Sequence, residues 1–170
     1  MFRIFVCMTI IVLSAGAGYL YTWRFTGRIL ILKDAKDKFS SMEREIMFSM
    51  NTLPDICGKL SRETGYFSEI MAYAAREMTE ENRPFSESWS EGVMKLFESS
   101  SLKQEQKRAL AAMGKGLGEG DLDEQKKCFD RISFELGKLL DEAEEEKKRL
   151  GKMYMSLFVF GGTGLSIMLI

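Results

Sequence analysis

Residues 121–170, DLDEQKKCFDRISFELGKLLDEAEEEKKRLGKMYMSLFVFGGTGLSIMLI, form the stretch that decides the fold. Apolar residues recur three or four positions apart in its first part, which is the spacing of one helix face, with Gln125 as the polar exception. They are Leu122, Phe129, Ile132, Leu136, Leu139, Ala143, Leu150 and Met153. The 18 residues from Met153 onward carry no charge, and a helix of about that length crosses a bilayer core. The stretch therefore predicts one helix that leaves an aqueous bundle and continues into a membrane.

The N-terminal stretch has the same design. Ile4 to Trp23 is uncharged over 20 residues, and a helix of that length spans about 30 Å. An amphipathic pattern follows, with apolar residues at steps of three and four: Leu32, Ala35, Phe39, Met42 and Ile46. We predict a transmembrane helix over 1–24, a cytosolic helical bundle domain over 25–152 and a second transmembrane helix over 153–170.

The first span also resembles a secretory signal peptide, because Arg3, an apolar run and Ala15-Gly16-Ala17 follow one another. The apolar run continues beyond these small residues to Trp23, which favours a retained anchor. Basic residues flank both spans on the side of the central domain, and positive charge marks the cytosolic side. They are Arg24, Arg28, Lys33, Lys36, Lys38, Lys147, Lys148, Arg149 and Lys152. We therefore predict a cell-membrane protein with two spans, both termini outside and the domain in the cytosol.

The fold class is all-α, since only two prolines occur and no alternating strand pattern is present. We predict an antiparallel six-helix bundle whose long first and last helices are continuous with the N- and C-terminal transmembrane segments. The first helix should end near Met50 and the second should run from Pro54 to Glu63, with Gly65 just past its end. Thr52, Ser101 with Gln104, and Asp121 with Glu124 are predicted to cap the second, fifth and sixth helices.

Composition excludes several function classes. The chain contains no histidine, which removes the commonest general base and the histidine-containing metal sites. Its three cysteines, Cys7, Cys57 and Cys128, have no CxxC spacing. Lys and Arg number 24 against 25 Asp and Glu, without a basic stripe that would indicate nucleic acid binding. We therefore predict no catalytic residues, metal, cofactor, small-molecule substrate or nucleic acid.

Two motifs have a structural and a functional interpretation. The glycine-rich stretch 114–120, GKGLGEG, lacks the order and the preceding strand of a phosphate-binding loop, so we interpret it as a helix-ending connector. Glu142, Glu144, Glu145 and Glu146 point around a helix rather than to one side, and basic residues follow at ion-pair spacing. We interpret them as a solvated helix face rather than as metal ligands.

Small residues four apart within the spans allow helices to approach closely, and they are Ser14 with Gly18 and Gly162 with Ser166. Whether they pack on each other or on a partner's helices stays open. The 12 methionines favour core filling over an adaptable binding groove. Glu43, Arg44 and Glu45, with Trp89 and Lys115, are the candidate partner interface; the alternative for the acidic cluster is ordinary solvation.

Several segments resemble one family. Residues 41–48, SMEREIMF, followed by Thr52-Leu53-Pro54, resemble the segment after the first membrane helix of the stage III sporulation protein AB family. Phe85 and Trp89 resemble its central aromatic pair. Gly114, Leu117-Gly118 and Asp121 with Gln125 resemble its connector. Residues 152–157, KMYMSL, and Gly161-Gly162 resemble the start of its last membrane helix, although Met155 and Phe158 replace the usual Arg and Gly.

The resemblance implies a component of the mother-cell machinery that joins mother cell and forespore in endospore-forming bacteria. It also implies a soluble part similar to the helical domain of type II secretion and type IV pilus platform proteins. Implied partners are other membrane proteins of the channel complex and a cytosolic secretion-type ATPase. Our hypothesis is a non-enzymatic platform subunit that couples membrane helices to this partner. The alternatives are a two-span membrane sensor and, less favoured, an enzyme that uses carboxylates.

Overall fold

The computed structural model describes residues 2–49 and 51–169. For residues 2–8, 10–24 and most of those from 154 onward it describes the backbone alone. Six α-helices account for the regular secondary structure of the described residues, which confirms the all-helical class. They are α1 (Phe2–Phe48), α2 (Leu53–Leu60), α3 (Ser68–Glu80), α4 (Phe85–Leu96), α5 (Gln104–Met113) and α6 (Leu122–Leu169).

The chain forms two compact units. Unit 1 comprises Met1–Ile29 and Asp141–Ile170, and unit 2 comprises Leu30–Leu140. α1 and α6 therefore each supply residues to both units. The predicted domain boundaries, 1–24, 25–152 and 153–170, mark where the chain is expected to enter the membrane. The two compact units do not test these boundaries, which stay a prediction.

No helix within the described residues contains a stretch that is both long and apolar enough to span a membrane. Most side chains of the two predicted spans lie outside the described residues. The spans therefore stay predictions from the sequence.

In unit 1, α1 and α6 are joined by an ion pair. Arg28 Nη1 lies 2.7 Å from Glu146 Oε2, and both side chains are at least four-fifths buried. Phe25, Ile29 and Ala143 are buried in the same unit. The glutamates at 142–146 therefore do not form a uniformly solvated helix face as predicted, because Glu146 forms an ion pair with Arg28 of α1. Glu142 and Glu145 are exposed.

The core of unit 2 is assembled around Trp89 of α4, whose side chain is fully buried. Its ring lies 5.0 Å from Phe39 of α1, 5.4 Å from Phe67 and 5.7 Å from Phe85, measured between centroids. The indole Nε1 donates a hydrogen bond of 2.8 Å to the carbonyl oxygen of Leu110 in α5. One side chain thus joins α1, the start of α3, α4 and α5, while α2 packs on α3, α3 on α4 and α4 on α5.

Most predicted apolar faces point into this core. The buried residues predicted by the periodicity include Leu32, Ala35, Phe39, Met42, Ile56, Leu60, Ile70, Met71, Ala74, Val93, Leu110, Met113, Phe129, Ile132 and Leu136. Methionine serves as core filling at Met42, Met71 and Met113. A narrow crevice lined by Phe39 and Glu43 on one side, and by Phe129 and Leu136 on the other, lies between α1 and α6 in unit 2.

Polar side chains on the helices hold the loops of unit 2. Asp34 of α1 accepts a hydrogen bond of 2.8 Å from the N–H of Phe67, just before α3. One turn further along α1, the buried Lys38 Nζ donates a hydrogen bond of 3.1 Å to the carbonyl oxygen of Leu60, which is the last residue of α2. The same Nζ forms an ion pair of 2.7 Å with Glu63. Lys107 Nζ donates to the carbonyl of Glu98 at 2.8 Å. Within the described residues, no buried side-chain nitrogen or oxygen is left without a hydrogen-bond partner.

The helix caps agree with the predictions in part. Asp121 caps α6, because its Oδ1 accepts the N–H of Glu124 at 2.8 Å. Thr52 stands at the N-cap of α2, but its hydroxyl donates to Asp55 instead of accepting a backbone N–H. The predicted Ser101–Gln104 box is wrong by two residues, since α5 begins at Gln104 and the Gln106 side chain accepts the N–H of Lys103 at 3.1 Å.

Two further helix ends are settled by the structure. α2 ends at Leu60 with Ser61 as its cap, so Gly65 is not the residue that terminates it. α3 ends before Asn82, which adopts a left-handed conformation with φ of 52° that asparagine tolerates better than most residues.

A partly buried ion-pair cluster joins α3 to α4. Arg83 Nη1 lies 2.9 Å from Glu77 Oε2 and 2.8 Å from Glu91 Oε2. Lys95 Nζ lies 2.6 Å from Glu91 Oε1. Hydrogen bonds from Lys95 and Arg83 lower the pKa of Glu91 to about 2, and bonds to Glu77 and Glu91 raise the pKa of Arg83.

Leu136→Asp should disrupt the folding of unit 2. Leu136 is 1% exposed, and a buried carboxylate without a partner costs several kcal/mol. The matched control is Phe134→Asp, because Phe134 lies on the same helix and is 75% exposed. Thermal unfolding of the purified full-length protein should show a large loss for Leu136→Asp and little change for Phe134→Asp. Equal melting curves for the two variants would contradict this placement of Leu136.

Glu91→Gln should reduce the acid sensitivity of folding. The pKa of Glu91 falls from its ordinary 4.5 to about 2 on folding. Its stabilising contribution is thus present above pH 4.5 and lost as the pH falls toward 2. The melting temperature of the wild type should fall more steeply over that interval than that of the variant. The control is Glu87→Gln, because Glu87 Oε2 lies 3.9 Å from Arg83 Nη2, which is beyond hydrogen-bond distance. This variant should keep the wild-type slope.

Candidate partner interface

One end of unit 2 is built from two segments that are distant in sequence. We call it the tip, and it comprises the described residues 46–49 and 51–53, where α1 ends and α2 begins, and residues 114–125, the glycine-rich connector and the start of α6. The two segments touch, since a β-carbon placed on Gly118 would lie 2.8 Å from Leu53 Cδ2. Between them lies an open groove of about 680 Å³, the tip groove, with apolar walls from Ile46, Leu53 and Leu122.

The connector at the tip is a turn-forming segment, as predicted. Gly116, Gly118 and Gly120 have φ angles of 81°, 83° and 80°, which other residues adopt only at a cost. At its start, Gly114 closes α5 against the core, because a β-carbon there would lie 2.5 Å from Cδ1 of Trp89. The connector therefore needs glycine both for its turns and for its approach to the tryptophan.

Gln125 holds the connector in place from the first turn of α6. Its Oε1 accepts the N–H of Gly118 at 3.2 Å, while its Nε2 donates to the carbonyls of Gly116, at 3.3 Å, and Glu119. The side chain is 5% exposed. The one polar residue on the apolar face of α6 is therefore explained, since a primary amide has both the donors and the acceptor that this loop requires.

The charge around the tip groove is acidic. Asp121 and Asp123 are the charged residues that line it. Asp121 is engaged as the cap of α6, whereas no hydrogen bond or ion pair joins the Asp123 side chain to a described residue. The N-terminus of a helix is equivalent to about half a positive charge, so two carboxylates leave the groove net negative.

A second groove adjoins the first and contains more cations than anions. Lys115, Lys127 and Arg131 line it, together with Glu119 and Glu124. Arg131 Nη2 lies 3.4 Å from the carbonyl oxygen of Lys115, so α6 also supports the start of the connector. Gly120 lines both grooves, which places an acidic and a basic surface side by side at the tip.

The predicted acidic cluster lies along the last turns of α1, next to the tip. Arg44 is exposed, and its Nη2 donates to Ser41 Oγ at 2.9 Å. Glu43 and Glu45 are half-buried. Glu45 Oε1 lies 2.5 Å from Lys59 Nζ, and hydrogen bonding to Lys59 lowers the pKa of Glu45. Glu45 therefore serves to attach α1 to α2.

The structure corrects one predicted interface residue and supports the exposure of another. Trp89 is fully buried, because the aromatic ring fills the space between four helical segments, so its side chain is not available to a partner. Lys115 is exposed at the tip. For Ser14, Gly18, Gly162 and Ser166 the structure describes the backbone alone, so the packing of these residues in the membrane stays a prediction.

Sequence reasoning missed the apolar residues that the tip exposes. Phe48 is 86% exposed and Leu122 is 61% exposed. Leu122 fits the apolar spacing of α6, which predicts that it faces the core. It is exposed instead, because it is the first residue of the helix. The available signal was the position of both residues next to predicted helix ends, where a helix face has less to pack against.

The described residues contain no group of side chains suited to hold a metal ion. Burial raises the pKa of the Cys57 thiol to about 12, so this cysteine is not a nucleophile near neutral pH. Cys128 lies beside the connector with Sγ 3.5 Å from the Lys115 carbonyl oxygen.

Comparison with known families identifies the chain. Residues 3–170 match Spore_III_AB, the stage III sporulation protein AB family. Comparison with the curated proteins and with the solved structures gives no significant match. Because the match covers nearly the whole sequence, the chain belongs to the stage III sporulation protein AB family, as the resemblance predicted. Its family is one of sporulation proteins and not a known enzyme family.

Gln125→Glu should loosen the tip without changing its size. A glutamate carboxylate can accept the Gly118 N–H, but it cannot donate to the Gly116 and Glu119 carbonyls. Each hydrogen bond lost in this way costs about 0.5–1.5 kcal/mol. Amide hydrogen exchange of residues 116–120 in the full-length protein should accelerate, and the midpoint of denaturant unfolding should fall.

The matched control is Lys126→Glu at the neighbouring exposed position. It introduces the same carboxylate one residue away from the bonded site. Exchange in the connector that is equally fast in both variants would contradict the role assigned to Gln125.

Proposed function

We propose that this chain is a non-enzymatic membrane platform subunit of the channel apparatus that joins mother cell and forespore during endospore formation. Two membrane helices anchor it in the mother-cell membrane, and its helical domain couples to a cytosolic secretion-type ATPase. Membership of the sporulation family over residues 3–170 supports the cellular role. The uncharged stretches 4–23 and 153–170, flanked by basic residues, support the anchors and the cytosolic side of the domain.

The observation that carries the coupling role is the tip. Leu122 is 61% exposed and lines a groove with apolar walls and two aspartates, and Phe48, at the end of α1, is 86% exposed. Exposed apolar side chains near a concave surface are typical of protein interaction sites. A partner-binding surface of this kind supports the platform role.

Helix continuity suggests how binding reaches the membrane. α1 ends at the tip and α6 begins there, and each is a single helix that also contains one predicted span. Packed helices change position by small shifts and rotations rather than by bending freely. A partner that alters the packing at the tip can therefore displace the ends of both helices, and the membrane segments move with them.

The cellular role is tested by deletion in the host. Removing the protein should block spore formation after the forespore is enclosed, and the full-length chain supplied in trans should restore it. A variant that lacks residues 153–170 is the matched control for anchoring and should not restore spores. A deletion strain that forms normal numbers of heat-resistant spores would rule the proposal out.

The topology is tested with one introduced cysteine. Ser99 is exposed between α4 and α5, and Ser99→Cys is placed in a Cys7→Ser, Cys128→Ser background, in which the remaining native cysteine, Cys57, is buried. A membrane-impermeant maleimide should label Cys at position 99 only after the cells are permeabilised. Labelling in intact cells would place the domain outside and would favour a two-span sensor.

A further inference from the structure

We propose that the tip groove binds a basic amphipathic helix of a protein partner. The inference rests on the proposed function only in placing this surface in the compartment that contains the partner. It assigns the chemistry of the bound segment: apolar side chains on one face, with lysine or arginine beside them.

The shape of the groove favours a helix over a small molecule. Small-molecule pockets enclose most of their ligand, whereas the tip groove is an open channel of about 680 Å³ between Ile46, Asn51 and Leu53 and the start of α6. Its apolar walls come from Ile46 and Leu53 on one side and Leu122 on the other. Apolar side chains at successive turns of a helix fit a groove with facing walls of this kind.

One wall residue of the groove is strongly exposed. Leu122 lines the groove and is 61% exposed. Removing apolar surface of this kind from water is favourable. Leu122 therefore gives a docked helix an apolar contact that the free protein leaves open to solvent.

The charge of the groove decides the charge of the segment. Asp121 and Asp123 are its charged lining residues, and no lysine or arginine lines it. The helix N-terminus offsets about half a charge, which leaves the groove negative. An acidic helix or an anionic lipid surface would be repelled, while lysine or arginine beside the apolar face of a segment would be attracted.

The adjoining cationic groove gives the complex a direction. Gly120 lines both grooves, and Lys115, Lys127 and Arg131 line the adjoining one together with Glu119 and Glu124, which leaves it an excess of one positive charge. A bound helix that carries basic residues over Asp121 and Asp123 and an acidic residue toward Lys115 matches both surfaces. The reversed orientation would place like charges together, so the charge pattern selects one orientation.

The test places a photocrosslinking residue, p-benzoylphenylalanine, at position 122 of the full-length chain in sporulating host cells. The matched control carries it at position 134, since Phe134 is 75% exposed on the same helix and does not line the groove. Capture at position 122 should exceed capture at position 134 about tenfold, because only the probe at position 122 lies in the groove. Mass spectrometry of the captured peptide should identify a basic amphipathic segment.

Second substitutions separate the apolar and charge contributions. Ile46→Ser, at a wall of the groove, should lower capture at position 122 several-fold, whereas Phe134→Ser should leave it unchanged. Asp123→Asn should lower capture and weaken its salt dependence, whereas Asp130→Asn, at another exposed aspartate of α6, should do neither. Melting curves of the four full-length variants should match that of the wild type, since Ile46 is half-buried and the other three side chains are exposed.

Several outcomes would overturn the inference. These are equal capture at positions 122 and 134, a captured segment that is acidic or lacks an apolar face, capture of a second copy of this chain, and capture of lipid. Each can occur while the deletion strain still fails to sporulate. Failure of the groove assignment is thus distinguishable from failure of the proposed function, which normal spores of the deletion strain would show.

Discussion

The burial of Trp89 is the contact on which unit 2 depends. A single indole contacts aromatic rings from α1, the start of α3 and α4, and its N–H reaches a carbonyl of α5 at 2.8 Å. Short helices of 8–13 residues, the lengths of α2 to α5, are marginal by themselves in water. Because the Trp89 side chain contacts several of these helices at once, it stabilises them by packing them together. Gly114 is constrained by the same contact, because a side chain there would displace the ring.

Around this core, polar side chains carry the loops. Asp34 and Lys38 hold the loop between α2 and α3, Lys107 holds the loop between α4 and α5, and Gln125 holds the connector before α6. Each reaches from a helix to backbone groups that have no partner in regular structure, which removes the penalty of burying them. The loops are therefore fixed in position by the helices, and the tip inherits a defined shape from them.

That shape relates the fold to the proposed role. Phe48 and Leu122 remain exposed although both are large and apolar, and such exposure is unfavourable in the free protein unless another surface covers it. Phe48 is the last residue of α1 and Leu122 is the first residue of α6, so each lies at the end of a long helix. A partner that binds at this point can cover apolar surface that remains exposed after folding. It also contacts the two helices that contain the predicted membrane spans.

The sequence by itself determined the helical class, the positions of the helices and most of the buried face of each, because apolar spacing near 3.6 residues and helix caps are local signals. It also determined the Asp121 cap and the role of the glycine-rich connector. The interior position of Trp89, the exposure of Leu122 and the loop bonds of Gln125 were decided only by the tertiary structure. Local spacing shows which face of a helix is apolar, but burial and hydrogen bonding at a given residue depend on which distant segments pack against it.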